Sequence, residues 1–403
     1  METHVISELQ GRAGLITLNR ARALNALSLA MIRSITASLL AWRDDPAVLV
    51  IGLRGMRRPA VPKANGTAAQ SAQGSPVSKA AVPGGADQPF GAFCAGGDIR
   101  FFHQAALGGN PELEDFFTEE YRLNHLIHTY PKPVVAFMDG IVMGGGMGLA
   151  QGASARIVTA RTRMAMPETQ IGLFPDVGGG YFLSRCPGHL GEYLALTGHV
   201  IGGAQAVAAG LADQVVEPER LVHLWDALAD YGIAEGDTVF GDPQAADPAP
   251  GKGEPVPGAA PDLLDRARID RYFGLPDMAA IVQALEADAD PDDWAHIAAA
   301  ALRQRSPLML QVTLQQIRRA RQLGLADDLR MERDLVRHCF HPAHLERSGA
   351  ATDVVEGIRA LAVDKDHTPR WNPARIEDVT AQMVAPFFCS PWPTDAHPLR
   401  ELA

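Results

Sequence analysis

Short β-rich runs alternate with segments of helical period through the first half of this 403-residue chain. That alternation restricts the fold more than any other feature. GLITLN (14–19), VLVIGL (48–53), VVAFMDG (134–140) and ARIVTA (155–160) have strand length and strand composition. Between them, 23–45 and 112–130 repeat apolar residues at helical spacing. Strands interleaved with helices predict an α/β fold in which helices pack on a sheet. The last third reads as mostly helical, with 308–324 and 331–340 the clearest segments. No 20–50-residue repeat is strong enough for a solenoid.

Two stretches interrupt this pattern. Residues 55–91 and 236–262, approximately, are rich in Ala, Pro, Gly and Ser and almost free of large apolar side chains. Such sequence cannot offset the entropy of ordering, so both read as flexible insertions. The expected organisation is a core over 1–235 carrying the first insertion, a linker over 236–262, and a helical region over 263–403 that completes the site. The first insertion ends beside FCAGGDIR (93–100), where it is either a flap or an inert loop.

Several functions are excluded by composition. A net charge of −11 with no Lys/Arg stripe argues against nucleic acid, whose binding rests on phosphate neutralisation. No window approaches the roughly 18 apolar residues of a membrane span. METHVISELQ lacks a secretory or import pattern, which predicts a cytoplasmic protein. Cys94, Cys186, Cys339 and Cys389 are scattered without a CxxC pair, so neither a disulfide framework nor a zinc site is expected. Cys94 reads as a small buried thiol. There is no HExxH, and His125 and His128, three apart on a helix, read as surface or packing residues. No metal is called for.

The candidate chemistry lies in two glycine-rich turns and three acids. VVAFMDGIVMGGGMGLAQG invites a dinucleotide reading, but GxGxxG fails: its last position falls on Gln151 or Leu149. What remains is Gly144–Gly145–Gly146 opening a helix, either an anion-binding turn or a tight packing turn. In FCAGGDIR, Asp98 is placed to cap the next helix, and N–H groups near Ala95 and Gly96 are free to meet a ligand. One donor from each turn is what an oxyanion hole requires. In 112–130 the positions Leu113, Phe116, Glu120, Leu123 and Ile127 share a buried stripe, so Glu120 needs either a pocket or an ion-pair partner. Glu168 and Asp176 lie eight apart in an apolar loop, either as a desolvated acid/base pair or as turn caps.

These segments together resemble the crotonase (enoyl-CoA hydratase/isomerase) superfamily, and more narrowly its 3-hydroxyisobutyryl-CoA hydrolase branch. PETQIGLFPDVGGGYFL (167–183) is the most specific of them, joined by EGIRALAVDKDHTPRWNP (356–373) and by the opening GLITLNRARALNAL (14–27). The resemblance implies a spiral of ββα turns with a helical C-terminal region. It implies oxyanion donors at Ala95 and Gly145, with Gly96 and Gly144 beside them, and a catalytic Glu168. Glu120 and Asp176 match the branch's remaining site carboxylates, and Arg20 and Ala23 fall in the CoA-binding opening. The first glutamate of true hydratases falls at Gly148, which argues against the two-glutamate hydration mechanism. The implied activity is hydrolysis of 3-hydroxyisobutyryl-CoA or a close 3-hydroxyacyl-CoA in valine breakdown, with Glu168 as nucleophile or general base. CoA enters as part of the substrate and no other cofactor is expected; superfamily members commonly assemble, so a homo-oligomer is compatible. The rivals are a hydratase or isomerase of another acyl-CoA and a catalytically silent acyl-CoA-binding subunit.

Overall fold

The computed structural model describes residues 3–57, 90–231, 265–289 and 294–403. The expected insertion at 236–262, and that at 55–91 apart from its ends, lie outside these residues. Among the described residues the strands are β1 (Val5–Gln10), β2 (Ala13–Leu18), β3 (Val50–Gly55), β4 (Val134–Met138), β5 (Ile141–Met143), β6 (Ala155–Val158), β7 (Arg163–Ala165), β8 (Ile201–Gly202) and β9 (Gln214–Val215). The helices of the first part are α1 (Leu29–Arg43), α2 (Ile99–Gly108), α3 (Glu112–His128), α4 (Gly145–Gln151), α5 (Gly179–Leu183), α6 (Leu190–Thr197), α7 (Gly203–Ala208) and α8 (Arg220–Ala227). Those of the second are α9 (Arg266–Phe273), α10 (Met278–Glu286), α11 (Trp294–Arg303), α12 (Pro307–Ala320), α13 (Leu325–Phe340), α14 (Asp353–Ile358) and α15 (Ala381–Val384).

Two sheets share the strands. The larger runs β1-β2-β3-β4-β6-β9, parallel from β2 onward, with β1 antiparallel at one edge. The smaller runs β5-β7-β8. The chain winds between them: β4 leads to β5 and α4, then β6 leads to β7 and the α5–α6 segment. Each turn of this spiral adds one strand to each sheet and one helix outside, the expected crotonase-like architecture. Side chains alternate across the larger sheet. Val134, Ala136 and Met138 enter the main core, while Val135 and Phe137 join a second cluster under Leu221, Trp225 and Leu228 of the α8 region. Both faces are covered, which is why these strands read as continuous apolar runs.

The main core runs from Val5 to Leu399 and includes Ile269, Leu310, Leu329 and Val354. The C-terminal helices therefore share one core with the spiral. Three helices depart clearly from their expected bounds: α13 begins at Leu325, six residues before the expected 331, α12 ends at Ala320, short of the expected 324, and α1 starts late. Ser28 accepts from the Met31 N–H and starts the helix at Leu29, six residues after the apolar pattern begins. Residues 21–27 instead form a short 3₁₀ turn and a loop in which Leu24 and Asn25 have positive φ.

That loop is stitched to the first glycine turn. Arg20 pairs with Asp98 at 2.7 Å and donates to the Ala26 carbonyl, and Asn25 donates to Ala92 O at 2.7 Å. Asp98 also caps α2 through the Phe101 N–H. Asp98→Ala is expected to lower the unfolding free energy by about 1–2 kcal/mol, read from urea denaturation; an unchanged midpoint would contradict the capping role.

Candidate active site

The close approach of three segments builds the site. Cys94 forms an isolated parallel bridge with Val142, so the 93–97 turn lies beside the 143–146 turn that opens α4. A Cβ on Gly96 would come within 3.6 Å of the Gly145 nitrogen, and one on Gly145 within 3.5 Å of the Gly97 nitrogen. Two glycine turns 48 residues apart thus face each other at van der Waals distance. Any side chain between them would fill the gap.

The donor expected at Ala95 requires correction. Its N–H is consumed by the Leu24 carbonyl at 3.0 Å, part of the stitching of the 20–27 loop. The N–H groups of Gly96 and Gly97 make no hydrogen bond to a described residue. Gly145 opens α4, so its N–H has no partner within the helix. Among the described residues, the unbonded N–H groups of the first turn are those of Gly96 and Gly97, and the Gly97 nitrogen lies beside Gly145, whose own N–H is free.

All three expected carboxylates converge here. Glu168 is 7% exposed, and its Oε1 would lie 2.8 Å from a Cβ on Gly144. Glu120, 2% exposed, abuts Gly145 from α3. Asp176 is 9% exposed and accepts the Tyr121 hydroxyl at 2.8 Å, a residue next to Glu120 on the same helix. Among the described residues no Arg or Lys is paired with any of the three. Burial pushes the Glu120 carboxyl well above the carboxylate range, reinforced by Asp176 and Glu168. Burial and Asp176 do the same to Glu168. Burial raises Asp176 to about 6, against the opposing hydrogen bond from Tyr121. The ion-pair alternative for Glu120 is thereby excluded.

The α3–α4 contact explains the glycines of α4. Gly145, Gly148 and Gly152 line one stripe, and Cβ atoms there would strike Glu120, Asn124 and His128, which are spaced four apart on α3. At Gly148 a Cβ would fall 2.6 Å from the Val177 Cβ and 2.9 Å from Asn124 Nδ2. A second glutamate has no room there. His128 is a packing residue against the Tyr181 and Phe182 rings, and Cys94 is fully buried with its thiol pushed up to about 12 by burial. Arg20 and Ala23 sit in the 20–27 loop behind the first turn, with the Arg20 guanidinium committed to Asp98 and Ala26.

The C-terminal part supplies residues that pattern reading missed. Glu332 of α13 accepts from the Gly178 and Gly180 N–H groups at 2.7 and 2.9 Å, and Asp328 accepts from Tyr181 N at 2.8 Å. Gln316 of α12 donates to the Pro175 carbonyl at 2.6 Å and to Glu332 at 3.1 Å. These bonds clamp 175–181, a segment holding Val177 at φ 58 and Gly178 at φ 83. A β-branched residue in the left-handed region is strained, and the clamp is what holds it there.

Two sheets wound together with helices outside, and a pair of glycine turns at their junction, define the crotonase fold. The chain belongs to the enoyl-CoA hydratase/isomerase family, whose sequence model matches residues 13–61 and 70–388. A Xenopus tropicalis protein named mitochondrial 3-hydroxyisobutyryl-CoA hydrolase is 36% identical over 380 residues, covering 94% of this chain and 87% of that protein. An Arabidopsis thaliana protein named probable 3-hydroxyisobutyryl-CoA hydrolase 3 is 36% identical over 390 residues, covering 96% and 92%. Among solved structures, an enoyl-CoA hydratase from Rhodobacter sphaeroides superposes with a TM-score of 0.76 at 34% identity, covering 96% of this chain and 98% of that one. A carnitinyl-CoA dehydratase from Mycobacterium thermoresistibile gives 0.74 at 33% identity, covering 99% of each. Among the described residues no helix is long and apolar enough to cross a membrane.

Because the folded-state pKa of each carboxyl exceeds its unfolded value, the cluster favours the fold below about pH 4. The Asp176 part of that contribution is lost as pH rises through about 6. Glu120→Gln removes one raised group, so its melting temperature should decline less than the wild type's between pH 4.5 and 8. Parallel curves would refute the clustering.

Proposed function

We propose that this protein hydrolyses the thioester of 3-hydroxyisobutyryl-CoA, or of a closely similar 3-hydroxyacyl-CoA, to the free hydroxy acid and CoA. One observation carries the reading: Glu168 rests on the Gly144 turn where a thioester carbonyl would bind, while position 148, where true hydratases carry their other catalytic glutamate, is a glycine with no space for a side chain. The names of the Xenopus and Arabidopsis relatives support the substrate, and with it a step in valine breakdown.

In this mechanism the thioester carbonyl oxygen lies between the N–H groups of Gly97 and Gly145. As the tetrahedral intermediate forms, the oxygen becomes an anion and both donors strengthen; loss of one such donor typically costs roughly 3–4 kcal/mol. Glu168 must be ionised to act. As nucleophile it forms a mixed anhydride and expels CoA thiolate, and water then cleaves the anhydride. As general base it takes a proton from the water that attacks the carbonyl carbon. Its raised pKa makes it a stronger base in either role. Asp176, oriented by Tyr121, positions the water or the substrate hydroxyl, with Glu120 beside it. The CoA moiety runs past the 20–27 loop, where Ala23 is half-buried and Arg20 fixes the loop. No metal or redox cofactor is required. Four free cysteines favour a reducing compartment, and we assign the cytoplasm.

The second reading, hydration of another enoyl-CoA, is favoured by the descriptions of the two solved structures. Both readings are separated by one assay. Purified protein should release thiol from 3-hydroxyisobutyryl-CoA, Glu168→Gln should lose at least about 100-fold of that activity, and crotonyl-CoA should gain no water. Rapid hydration of crotonyl-CoA with no thiol release would reverse the assignment.

A further inference from the structure

Asn124 is 2% exposed, yet neither its Nδ2 nor its Oδ1 has a hydrogen-bond partner among the described residues. A buried amide left in that state costs several kcal/mol relative to water, by order of magnitude, so such groups persist where something else completes them. Glu168 and Glu120 each carry one unpartnered buried oxygen of the same kind. Both belong to the acyl site, and Asn124 is the neutral member of that set.

Its position agrees. Asn124 follows Glu120 by one turn of α3, and Gly148 follows Gly145 by one turn of α4, so the amide lies one helical turn beyond the oxyanion donor. Its Nδ2 would be 2.9 Å from a Cβ on Gly148, and Val177, whose φ of 58 is held by the α13 clamp, closes the same space. Asp176 adjoins Val177. On the hydrolase reading the thioester carbonyl binds at Gly97 and Gly145, so the next group along the acyl chain lies within one helical turn of Asn124. An amide both donates and accepts, as does an alcohol; a methyl group does neither.

We infer that Asn124 is the specificity-determining residue for the substrate's 3-hydroxyl, its Nδ2 donating to the hydroxyl oxygen and its Oδ1 accepting the hydroxyl proton. A site built for a hydroxyl discriminates strongly against the analogue lacking it, because the buried amide then stays unpaired. This inference rests on the hydrolase reading above and adds the residue that selects the acyl group.

The experiment measures kcat/KM by thiol release for 3-hydroxyisobutyryl-CoA and for isobutyryl-CoA, which lacks only the hydroxyl. Wild type, Asn124→Leu and Asn124→Ala are compared, each with its melting temperature recorded, and the alanine variant decides should leucine prevent folding. Both variants should lose roughly 10- to 100-fold on the hydroxylated ester while isobutyryl-CoA turnover stays within about threefold of wild type, so that discrimination collapses. An equal loss on both esters would mark Asn124 as a packing residue and overturn the inference. No loss on either would mean that a buried water satisfies the amide, with the same consequence. A wild type inert toward both esters removes the hydrolase reading and this inference together, whereas an active wild type with unchanged discrimination in the variants removes the inference alone.

Discussion

Everything in the site depends on how closely α3 can approach α4. Gly145, Gly148 and Gly152 have no side chains to hold the helices apart, so Glu120, Asn124 and His128 reach what would otherwise be occupied space. A normal helix pair keeps its axes 8–10 Å apart through the side chains at the contact. Here the contact is backbone on one side. The glycines weaken α4 intrinsically by about 1 kcal/mol each, and a helix of seven residues survives because it is buried on all sides. The catalytic geometry is therefore held by tertiary packing and not by helix propensity.

Three acids buried without a paired cation form the second constraint. An ionised pair sharing such a volume is costly, so each proton present lowers the energy of the resting site. Burial pushes Glu120 and Glu168 well above the ordinary carboxylate range and Asp176 to about 6, and in the proposed mechanism this makes the ionised Glu168 a stronger base toward a thioester or its water. Dryness matters equally. In the proposed mechanism the burial that raises Glu168 also strengthens the hydrogen bonds that Gly97 and Gly145 would make to a developing oxyanion, because little water competes for them.

The parts of this arrangement that repeat along the chain were legible in it. Leu113, Phe116, Leu123 and Ile127 declared a buried helical face, and Glu120 stood on that face by spacing alone. Glu168 and Asp176 were visible as acids in an apolar, glycine-punctuated loop. Which N–H of FCAGGDIR is free was not visible, because it depends on a carbonyl 71 residues away: Leu24 takes Ala95, and the donor passes to Gly97. Residues 23–27 also kept an apolar helical period while folding as a loop, since Ser28 caps α1 and Asn25 binds Ala92. Glu332 lay on a segment that reads as an ordinary helix (331–340), and Asp328 lay just before it. Only the fold shows that their face is turned inward to meet the N–H groups of 178–181.

That last contact gives the C-terminal region its meaning. The acids of α13 accept three backbone N–H groups from the loop carrying Asp176, while Arg333 of the same helix binds Glu114 and Thr118 of α3. One helix thus fixes two of the three elements that carry the acyl-site carboxylates, Asp176 from one side and Glu120 from the other. Burial raises the Glu332 carboxyl well above the carboxylate range, with Asp328 and Asp176 adding to it and the Gly178 and Gly180 N–H groups opposing it. The helical extension is better understood as the rear wall of the active site than as a separate domain, and the left-handed backbone at Val177 is sustained by it. Without α13 the spiral would retain its oxyanion donors but not the orientation of the acid that serves them.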